Sequence, residues 1–136
     1  MDLVIDANIV ISALISANGK IRELIFLKDF SLFAPEYLSE EVERYAIEII
    51  EKSELSKESF EIAKSLIFSK IKLIPFSEFE PSMEKSKNIC PDEKDTEYFS
   101  LALSKNIPIW SEDKALKKQS SVKIFSTKEL IGDMGL

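Results

Sequence analysis

A short apolar segment near the start of the chain, residues 3–5, runs directly into an acidic residue, Asp6. Buried strands of parallel sheets read as such short, nearly continuous apolar runs. We therefore predict a buried first strand that ends at Asp6, with Asn8 capping the helix that follows. In open α/β folds, ligands bind in the crevice beyond the carboxyl ends of the strands, so Asp6 is the first candidate site residue.

Strand-like and helix-like segments alternate along the rest of the chain. Further strands are predicted at residues 30–34, 71–75, 107–110 and 122–125, and helices at 8–17, 21–27, 36–52, 57–69, 81–88, 92–105, 113–118 and 127–132. Asn18 and Gly19 are read as a helix stop, and Thr127 as the cap of the last helix. Strands and helices at this spacing indicate a parallel sheet with helices on both faces, in one domain of residues 1–136.

Composition removes several classes of site. The 136 residues include no histidine, three glycines and a single cysteine, Cys90. These counts exclude a histidine base, an imidazole metal site, a zinc finger and the glycine-rich phosphate loops GxxxxGK and GxGxxG. Carboxylates remain plentiful, with 24 Asp and Glu against 18 Lys and Arg. A site built from carboxylates favours oxygen-binding cations such as Mg²⁺ or Mn²⁺.

The expected location is the cytoplasm, without contact with a membrane. No apolar run approaches the ~18 residues that a membrane span needs. The start Met1-Asp2 lacks the basic region of a secretory signal. A lone cysteine cannot form an internal disulfide, which fits a reducing compartment.

Helical phase selects among the acids of the long helix predicted after the second strand. Its apolar stripe includes Leu38, Tyr45 and Ile49. Glu41 lies at the edge of that stripe, three residues after Leu38 and four before Tyr45, where it could line a crevice. Glu48 lies nearly as close to the edge and is the competing choice. A solvated position on the helix flank is the alternative for Glu41.

Two acids begin the helix predicted at residues 92–105. Asp95 lies three and four residues before Tyr98 and Phe99 and therefore shares their inward face. Asp92 lies one turn earlier on the same side. Both could instead be capping acids that the helix dipole favours.

The strand predicted at residues 107–110 repeats the pattern of the first strand, because acids follow its apolar run directly. Ser111 stands at its end and could donate a hydrogen bond to a carboxylate or a water molecule. Asp113 alone could be a helix cap. However, Asp6 and Asp113 follow two strands of one parallel sheet, so both are expected at the same rim.

Four motifs in order resemble the PIN-domain family, small metal-dependent ribonucleases that include many toxins of toxin–antitoxin pairs. They are VIDANIV at 4–10, PEYLSEEV at 35–42, PDEKD at 91–95 with FSLAL at 99–103, and IWSEDK at 109–114. The first resembles the opening strand of the family with its catalytic aspartate, and the last resembles its closing strand with a (T/S)-x-D ending. Ala7 stands where many members carry Thr or Ser.

By this resemblance, the acidic site of the family would correspond to five carboxylates: Asp6, Glu41, Asp92, Asp95 and Asp113. All but Asp92 would be catalytic, all five are candidate ligands of Mg²⁺ or Mn²⁺, and Asn8 and Ser111 would support them. The implied fold is a three-layer α/β/α sandwich with a parallel five-stranded sheet. The implied activity is endoribonuclease hydrolysis that leaves 5′-phosphate and 3′-hydroxyl ends, in a toxin with an antitoxin partner or in an RNA-processing enzyme.

Substrate and partner surfaces are less sharply indicated. A net charge of −6 disfavours non-specific binding of nucleic acid, which depends on neutralising phosphates. Five basic residues could still contact single-stranded or structured RNA: Lys20, Arg22, Lys114, Lys117 and Lys118. Solvated lysines on exposed helix faces are the alternative. The apolar residues of helix 57–69 fit either a homodimer interface, as is common in the family, or a deeply buried helix.

Two other function classes compete with the ribonuclease. One is a catalytically silent binding module of the same fold whose acids hold a structural cation, although four acids exceed what such a module needs. The other is a flavodoxin-like receiver or phosphatase domain, which also places an aspartate at the end of its first strand. Asn8 stands where such phosphatases have their second acid, which favours the ribonuclease.

Overall fold

The computed structural model describes residues 1–16 and 19–135. Its strands are β1 (Asp2–Ile5), β2 (Ser31–Pro35), β3 (Ile71–Ile74), β4 (Ile109–Trp110) and β5 (Ile124–Phe125). Its helices are α1 (Ala7–Ile15), α2 (Lys20–Ile25), α3 (Tyr37–Arg44), α4 (Ala46–Ser53), α5 (Lys57–Phe68), α6 (Met83–Ile89), α7 (Thr96–Lys105) and α8 (Thr127–Asp133). Short 3-10 turns lie at Phe76–Glu78, Glu80–Ser82, Glu93–Asp95 and Lys114–Lys118.

The five strands form one parallel sheet in the order β3-β2-β1-β4-β5. The position of β1 at the centre of the sheet accounts for its apolar sequence, because Leu3, Val4 and Ile5 are all fully buried. A strand covered by helices on both faces has no solvent side, and its residues are therefore apolar without alternation. The predicted parallel five-stranded sheet is confirmed.

The order of the strands creates a crevice. The chain moves from β1 outward to β2 and β3, and then returns across the sheet to β4 and β5 on the other side of β1. Because parallel crossovers are right-handed, this reversal places α1–α5 on one face and α6 and α7 on the other. The resulting three-layer α/β/α fold agrees with the expectation. The reversal lies between β1 and β4, where ligands bind in doubly wound folds.

The prediction of one long helix at 36–52 is wrong in one respect, because two helices occupy that region. α3 and α4 meet at Tyr45, whose backbone angles are φ −99° and ψ 8°. The N–H of Tyr45 is shared between the carbonyls of Glu41 and Val42, which tightens the turn and redirects the chain. The apolar spacing continues through this junction, so periodicity alone could not reveal it.

Two predicted caps are also wrong. Asp6 rather than Asn8 precedes the first helical residue of α1, and the Asp6 carbonyl accepts the N–H of Ile9 at 3.1 Å. α8 is capped by Ser126 rather than Thr127, in a reciprocal capping box with Glu129. α1 begins one residue earlier than expected, at Ala7. The predicted end of the first helix at residue 17 and the stop at Asn18 lie outside the described residues.

The apolar surface of α5 divides into two faces. Phe60 and Ile67 are buried, whereas Ile62 and Leu66 are 64% and 55% exposed, so the helix is not deeply buried on all sides. A homodimer through the exposed face stays a prediction. Within the described ranges, no helix has the length and apolar character to cross a membrane.

Candidate functional site

The residues that follow β1 and β4 meet at the reversal of strand order. Ile5 pairs with Trp110, so the next residues, Asp6 and Ser111, lie opposite each other. The N–H of Asp6 donates to the carbonyl of Trp110 at 3.0 Å, and the hydroxyl of Ser111 donates to Oδ2 of Asp6 at 2.6 Å. The same hydroxyl accepts the N–H of Asp113 at 3.1 Å. Ser111 therefore connects the two acids through one hydroxyl group.

Glu41 reaches the same end of the sheet from α3, which begins two residues after β2. Leu38 and Val42 are fully buried and fix the inward face of this helix. Glu41 is consequently half-buried at the edge of that face, as the helical phase predicted. Its Oε1 accepts a hydrogen bond of 2.6 Å from the phenol of Tyr98 on α7.

The acids before α7 differ from one another in their local roles. Asp92 accepts the N–H of Lys94 at 3.0 Å and caps a 3-10 turn, and Asp113 caps the next such turn by accepting the N–H of Ala115 at 2.9 Å. The capping interpretation therefore holds for both, although it does not account for their shared location. Asp95 occupies the cap position of α7, but within the described part of the chain its carboxylate makes no capping hydrogen bond.

One cleft of about 360 Å³ gathers all five carboxylates that the sequence singled out, together with Asn8. Two helices supply most of its remaining lining: Ile11 and Ile15 of α1, and Tyr45, Glu48, Ile49 and Lys52 of α4. Lys94 also lines the cleft. Glu41 and its competitor Glu48 thus both face this space, and Glu48 pairs with Lys52 at 2.8 Å.

The crowded carboxylates change one another's proton affinity. Burial, together with the charges of Asp6, Asp92, Asp113 and Glu41, raises the pKa of Asp95 to about 7. Burial likewise raises the pKa of Asp6, although the hydrogen bond from Ser111 partly offsets it. The pKa of Glu41 is raised by burial and lowered in part by Tyr98. Such a site gains stability from any positive charge that enters it.

A comparison with protein-family models identifies the family to which this chain and its acidic cleft belong. The PIN domain model matches residues 4–131, which include every one of the five carboxylates. The chain belongs to the PIN-domain family. No curated protein matches this PIN domain in sequence.

A solved structure similar to this PIN domain is the crystal structure of VapBC2 from Rickettsia felis bound to a DNA fragment from their promoter. The TM-score is 0.65 at 17% sequence identity, with 93% of this chain and 98% of that chain covered. At this identity the likeness shows the fold alone. It agrees with the parallel five-stranded sheet described above.

The donor chemistry of this PIN domain fits a hard divalent cation. The five acids offer carboxylate oxygens, which are the ligands that Mg²⁺ and Mn²⁺ prefer. In residues 1–16 and 19–135, no group of three Asp, Glu or Cys side chains is already placed to hold a metal ion. Mg²⁺ keeps several of its waters and binds through one or two carboxylates. The cleft therefore fits a hydrated ion better than a closed protein cage.

None of the predicted RNA-contacting cations lines the cleft: Lys20, Arg22, Lys114, Lys117 and Lys118. Lys20 and Lys117 form ion pairs with neighbouring glutamates. Arg22 donates two hydrogen bonds, of 2.6 and 3.0 Å, to the carbonyl of Ala13 near the end of α1. Lys114 and Lys118 are exposed on the turn after Asp113. Their contact with RNA stays a prediction.

Sequence reasoning missed four residues of the cleft or its support: Tyr45, Lys52, Lys94 and Tyr98. The helical phase identifies Tyr98 only as an inward-facing residue, whereas the need of a buried tyrosine for a hydroxyl partner is the signal that points to an acid such as Glu41. Lys94 stands between Asp92 and Asp95 in sequence, which was a usable signal. Tyr45 and Lys52 share one helical face with Glu48, but their orientation depends on the junction between α3 and α4.

Proposed function

We propose that this PIN domain is a Mg²⁺- or Mn²⁺-dependent endoribonuclease of the toxin or RNA-processing type. The observation that carries the proposal is the convergence of five carboxylates, from separate parts of the chain, on one cleft at the strand reversal. Burial, together with the surrounding negative charges, raises the pKa of Asp95 to about 7. A divalent cation would neutralise these crowded charges, and a nuclease needs such a cation to polarise the phosphodiester and activate water.

The residues have distinct roles in this proposal. A hydrated cation would be held by the five acids of the cleft, one or two of them directly and the others through its waters: Asp6, Glu41, Asp92, Asp95 and Asp113. Ser111 and Tyr98 orient Asp6 and Glu41 through hydrogen bonds of 2.6 Å. The cation, when bound, lowers the pKa of its water and stabilises charge that develops on the phosphate. Asp95 lines the same cleft without a capping hydrogen bond, and its ionised carboxylate would accept a proton from the attacking water. In-line attack by water would leave 5′-phosphate and 3′-hydroxyl ends.

The proposal includes a protein partner. The similar solved structure contains VapBC2, bound to a DNA fragment from their promoter. By analogy, we propose that a separate antitoxin chain binds this PIN domain if it acts as a toxin. A homodimer and a cytoplasmic location are part of the same proposal and rest on the family resemblance and on the single cysteine, respectively.

The decisive experiment is cleavage of a mixed pool of single-stranded RNA by the wild type and by Asp6→Asn. Asp2→Asn is the matched control, because Asp2 is exposed at the opposite end of β1. Each protein is assayed with Mg²⁺, with Mn²⁺ and with a chelator. The expected result is metal-dependent cutting by the wild type and Asp2→Asn that Asp6→Asn lacks, with 3′-hydroxyl ends. Cyclic 2′,3′-phosphate ends would contradict the mechanism.

The same samples separate the proposal from the binding-module alternative. Equal cutting by wild type and Asp6→Asn would identify a contaminating nuclease. If no protein cuts RNA while Mn²⁺ raises the melting temperature of the wild type but not of Asp6→Asn, the cleft binds a cation without nuclease activity on these RNAs. That outcome would favour the silent binding module.

A further inference from the structure

One face of α4 continues the cleft beyond the carboxylates. Glu48, Ile49 and Lys52 follow the junction residue Tyr45 by three, four and seven residues, and all four line the cleft. Residues at these spacings share one side of a helix. Glu41 lies four residues before Tyr45, so the face leads away from the acidic site and extends roughly 10 Å along the helix from Tyr45 to Lys52.

The opposite wall of this extension is apolar. Ile11 and Ile15 of α1 are four residues apart and face the same space. Ile49 on the α4 side is fully buried and closes the floor between the two helices. We call the space bounded by Ile11, Ile15, Tyr45 and Lys52 the α1–α4 trough.

Tyr45 is placed as an aromatic platform in this trough. Its side chain is 40% exposed, although the ring stands at a junction between two helices and beside a cleft. Aromatic faces that remain exposed beside a phosphodiester site are suited to stacking with unpaired bases. The ring cannot be accounted for by core packing alone, because the buried contacts of α4 are made by Ile49.

The trough is also lined by a lysine, Lys52, that could neutralise a phosphate. The Lys52 side chain is 58% exposed, and its partner Glu48 is 52% exposed, so their ion pair is open to solvent. Exposed ion pairs of this kind contribute little stability, and an approaching phosphate can replace the carboxylate. In a protein with a net charge of −6, the two lysines of the cleft, Lys52 and Lys94, are the cations best placed to attract RNA.

We propose that the α1–α4 trough binds one nucleotide of a single-stranded RNA beside the scissile phosphate, with its base stacked on Tyr45 and its phosphate on Lys52. This inference deepens the proposed ribonuclease function and rests on it. Stacking on one tyrosine tolerates any base, and the subsite is therefore expected to select unpaired RNA rather than a sequence. A double helix keeps its bases stacked and cannot offer one to the ring.

The test measures binding separately from cleavage, in Asp6→Asn protein with Mg²⁺. The anisotropy of a labelled single-stranded RNA is titrated against Asp6→Asn alone and with Tyr45→Ala, Tyr45→Phe or Lys52→Gln added. The matched controls are Tyr37→Ala and Lys57→Gln, whose residues do not line the cleft. Circular dichroism confirms that each variant is folded.

Tyr45→Ala is expected to weaken binding about tenfold, whereas Tyr45→Phe retains most of the affinity because the ring remains. Lys52→Gln is expected to reduce the slope of log Kd against log salt by about 0.7, the loss of one phosphate contact on a single strand. The control variants should bind like their Asp6→Asn parent. A 2-aminopurine base in the RNA should be quenched by Tyr45-containing protein and not by Tyr45→Ala.

Two results would overturn the inference. One is equal RNA affinity in the parent and in Tyr45→Ala, which would assign the trough to another occupant such as an apolar peptide segment. The other is the absence of any RNA binding by the folded parent. If wild-type protein fails to cleave RNA but binding still depends on Tyr45 and Lys52, the subsite is supported and the nuclease proposal alone fails.

Discussion

The phenol of Tyr98 donates a 2.6 Å hydrogen bond to the carboxylate of Glu41, across 57 residues of sequence. Tyr98 is only 2% exposed. Burial and the neighbouring carboxylates raise the pKa of its phenol, so the group stays protonated and can only serve Glu41 as a donor. The bond thus fixes a candidate metal ligand on α3 to the rigid helix α7.

Tyr98→Phe keeps the ring and removes this donor. We expect the free energy of unfolding in urea to fall by about 1–2 kcal/mol, because a half-buried carboxylate loses a hydrogen bond. RNA cleavage should require more Mg²⁺ for half-maximal rate, and its acidic limb should move to higher pH, since the Tyr98 bond lowers the pKa of Glu41. Tyr37→Phe is the matched control, because among the described residues the Tyr37 hydroxyl is hydrogen-bonded only to exposed Arg44, at 3.2 Å. Equal metal requirement in both variants would contradict a positioning role for Tyr98.

Ser111→Ala removes the hydroxyl that links Asp6 and Asp113. The Asp6 carboxylate loses a donor and the N–H of Asp113 loses its acceptor. The free energy of unfolding in urea should therefore fall by about 1–3 kcal/mol. The pKa of Asp6 should rise further, and cleavage should lose activity at its acidic limb. Ser111→Thr retains a hydroxyl and should restore both properties, whereas Ser77→Ala, at an exposed position, should change neither. Failure of the Thr variant to restore activity would indicate that volume, rather than the hydroxyl, matters at this position.

The elements of the sheet were predictable because their physical signals are local. Leu3, Val4 and Ile5 are apolar without alternation, the pattern that a strand buried on both faces produces. The position of Asp113 beside Asp6 was predictable for a related reason, since carboxyl ends of parallel strands share one rim. Helical phase placed Glu41 at the edge of its buried stripe, where the structure has it.

The contacts that complete the cleft depend on tertiary geometry and could not be read from periodicity. The junction at Tyr45 preserves the apolar spacing of the helix while changing its direction, so neither the junction nor the orientation of Lys52 was foreseen. Tyr98 meets Glu41 through the packing of two helices that are distant in sequence. The contact of Arg22 with the Ala13 carbonyl likewise depends on the packing of α2 against α1.

The stability of the protein without divalent cations should fall as the pH rises. Burial and four neighbouring carboxylates raise the pKa of Asp95 from 3.8 to about 7, so the folded protein holds a proton that the unfolded chain releases between these pH values. Stability is lost wherever the folded state binds more protons than the unfolded state, here from about pH 4 to 7. The shifts of Asp6 and Glu41 have the same sign.

The melting temperature in a chelating buffer should therefore be lower at pH 8 than at pH 5. Asp95→Asn should shrink this difference and raise the melting temperature at pH 8, because a neutral amide replaces the crowded charge. Asp29→Asn is the control and should behave like the wild type, because Asp29 is exposed and does not line the cleft. Addition of Mg²⁺ at pH 8 should stabilise the wild type more than Asp95→Asn. A melting temperature that rises with pH in the wild type would contradict the charge crowding in the cleft.

Arg22 should prove structural rather than RNA-binding. Its guanidinium donates through Nε and Nη2 to the carbonyl of Ala13 in the last turn of α1. A cation at this end of the helix also interacts favourably with the helix dipole. Arg22→Met, which keeps an unbranched apolar stem, should lower the free energy of unfolding by about 1–2 kcal/mol and leave the salt dependence of RNA binding unchanged. Lys114→Gln, at an exposed position beside Asp113, supplies the comparison, because it should leave stability unchanged and report any phosphate contact directly. A reduced salt slope in Arg22→Met with unchanged stability would instead return Arg22 to the RNA-binding surface.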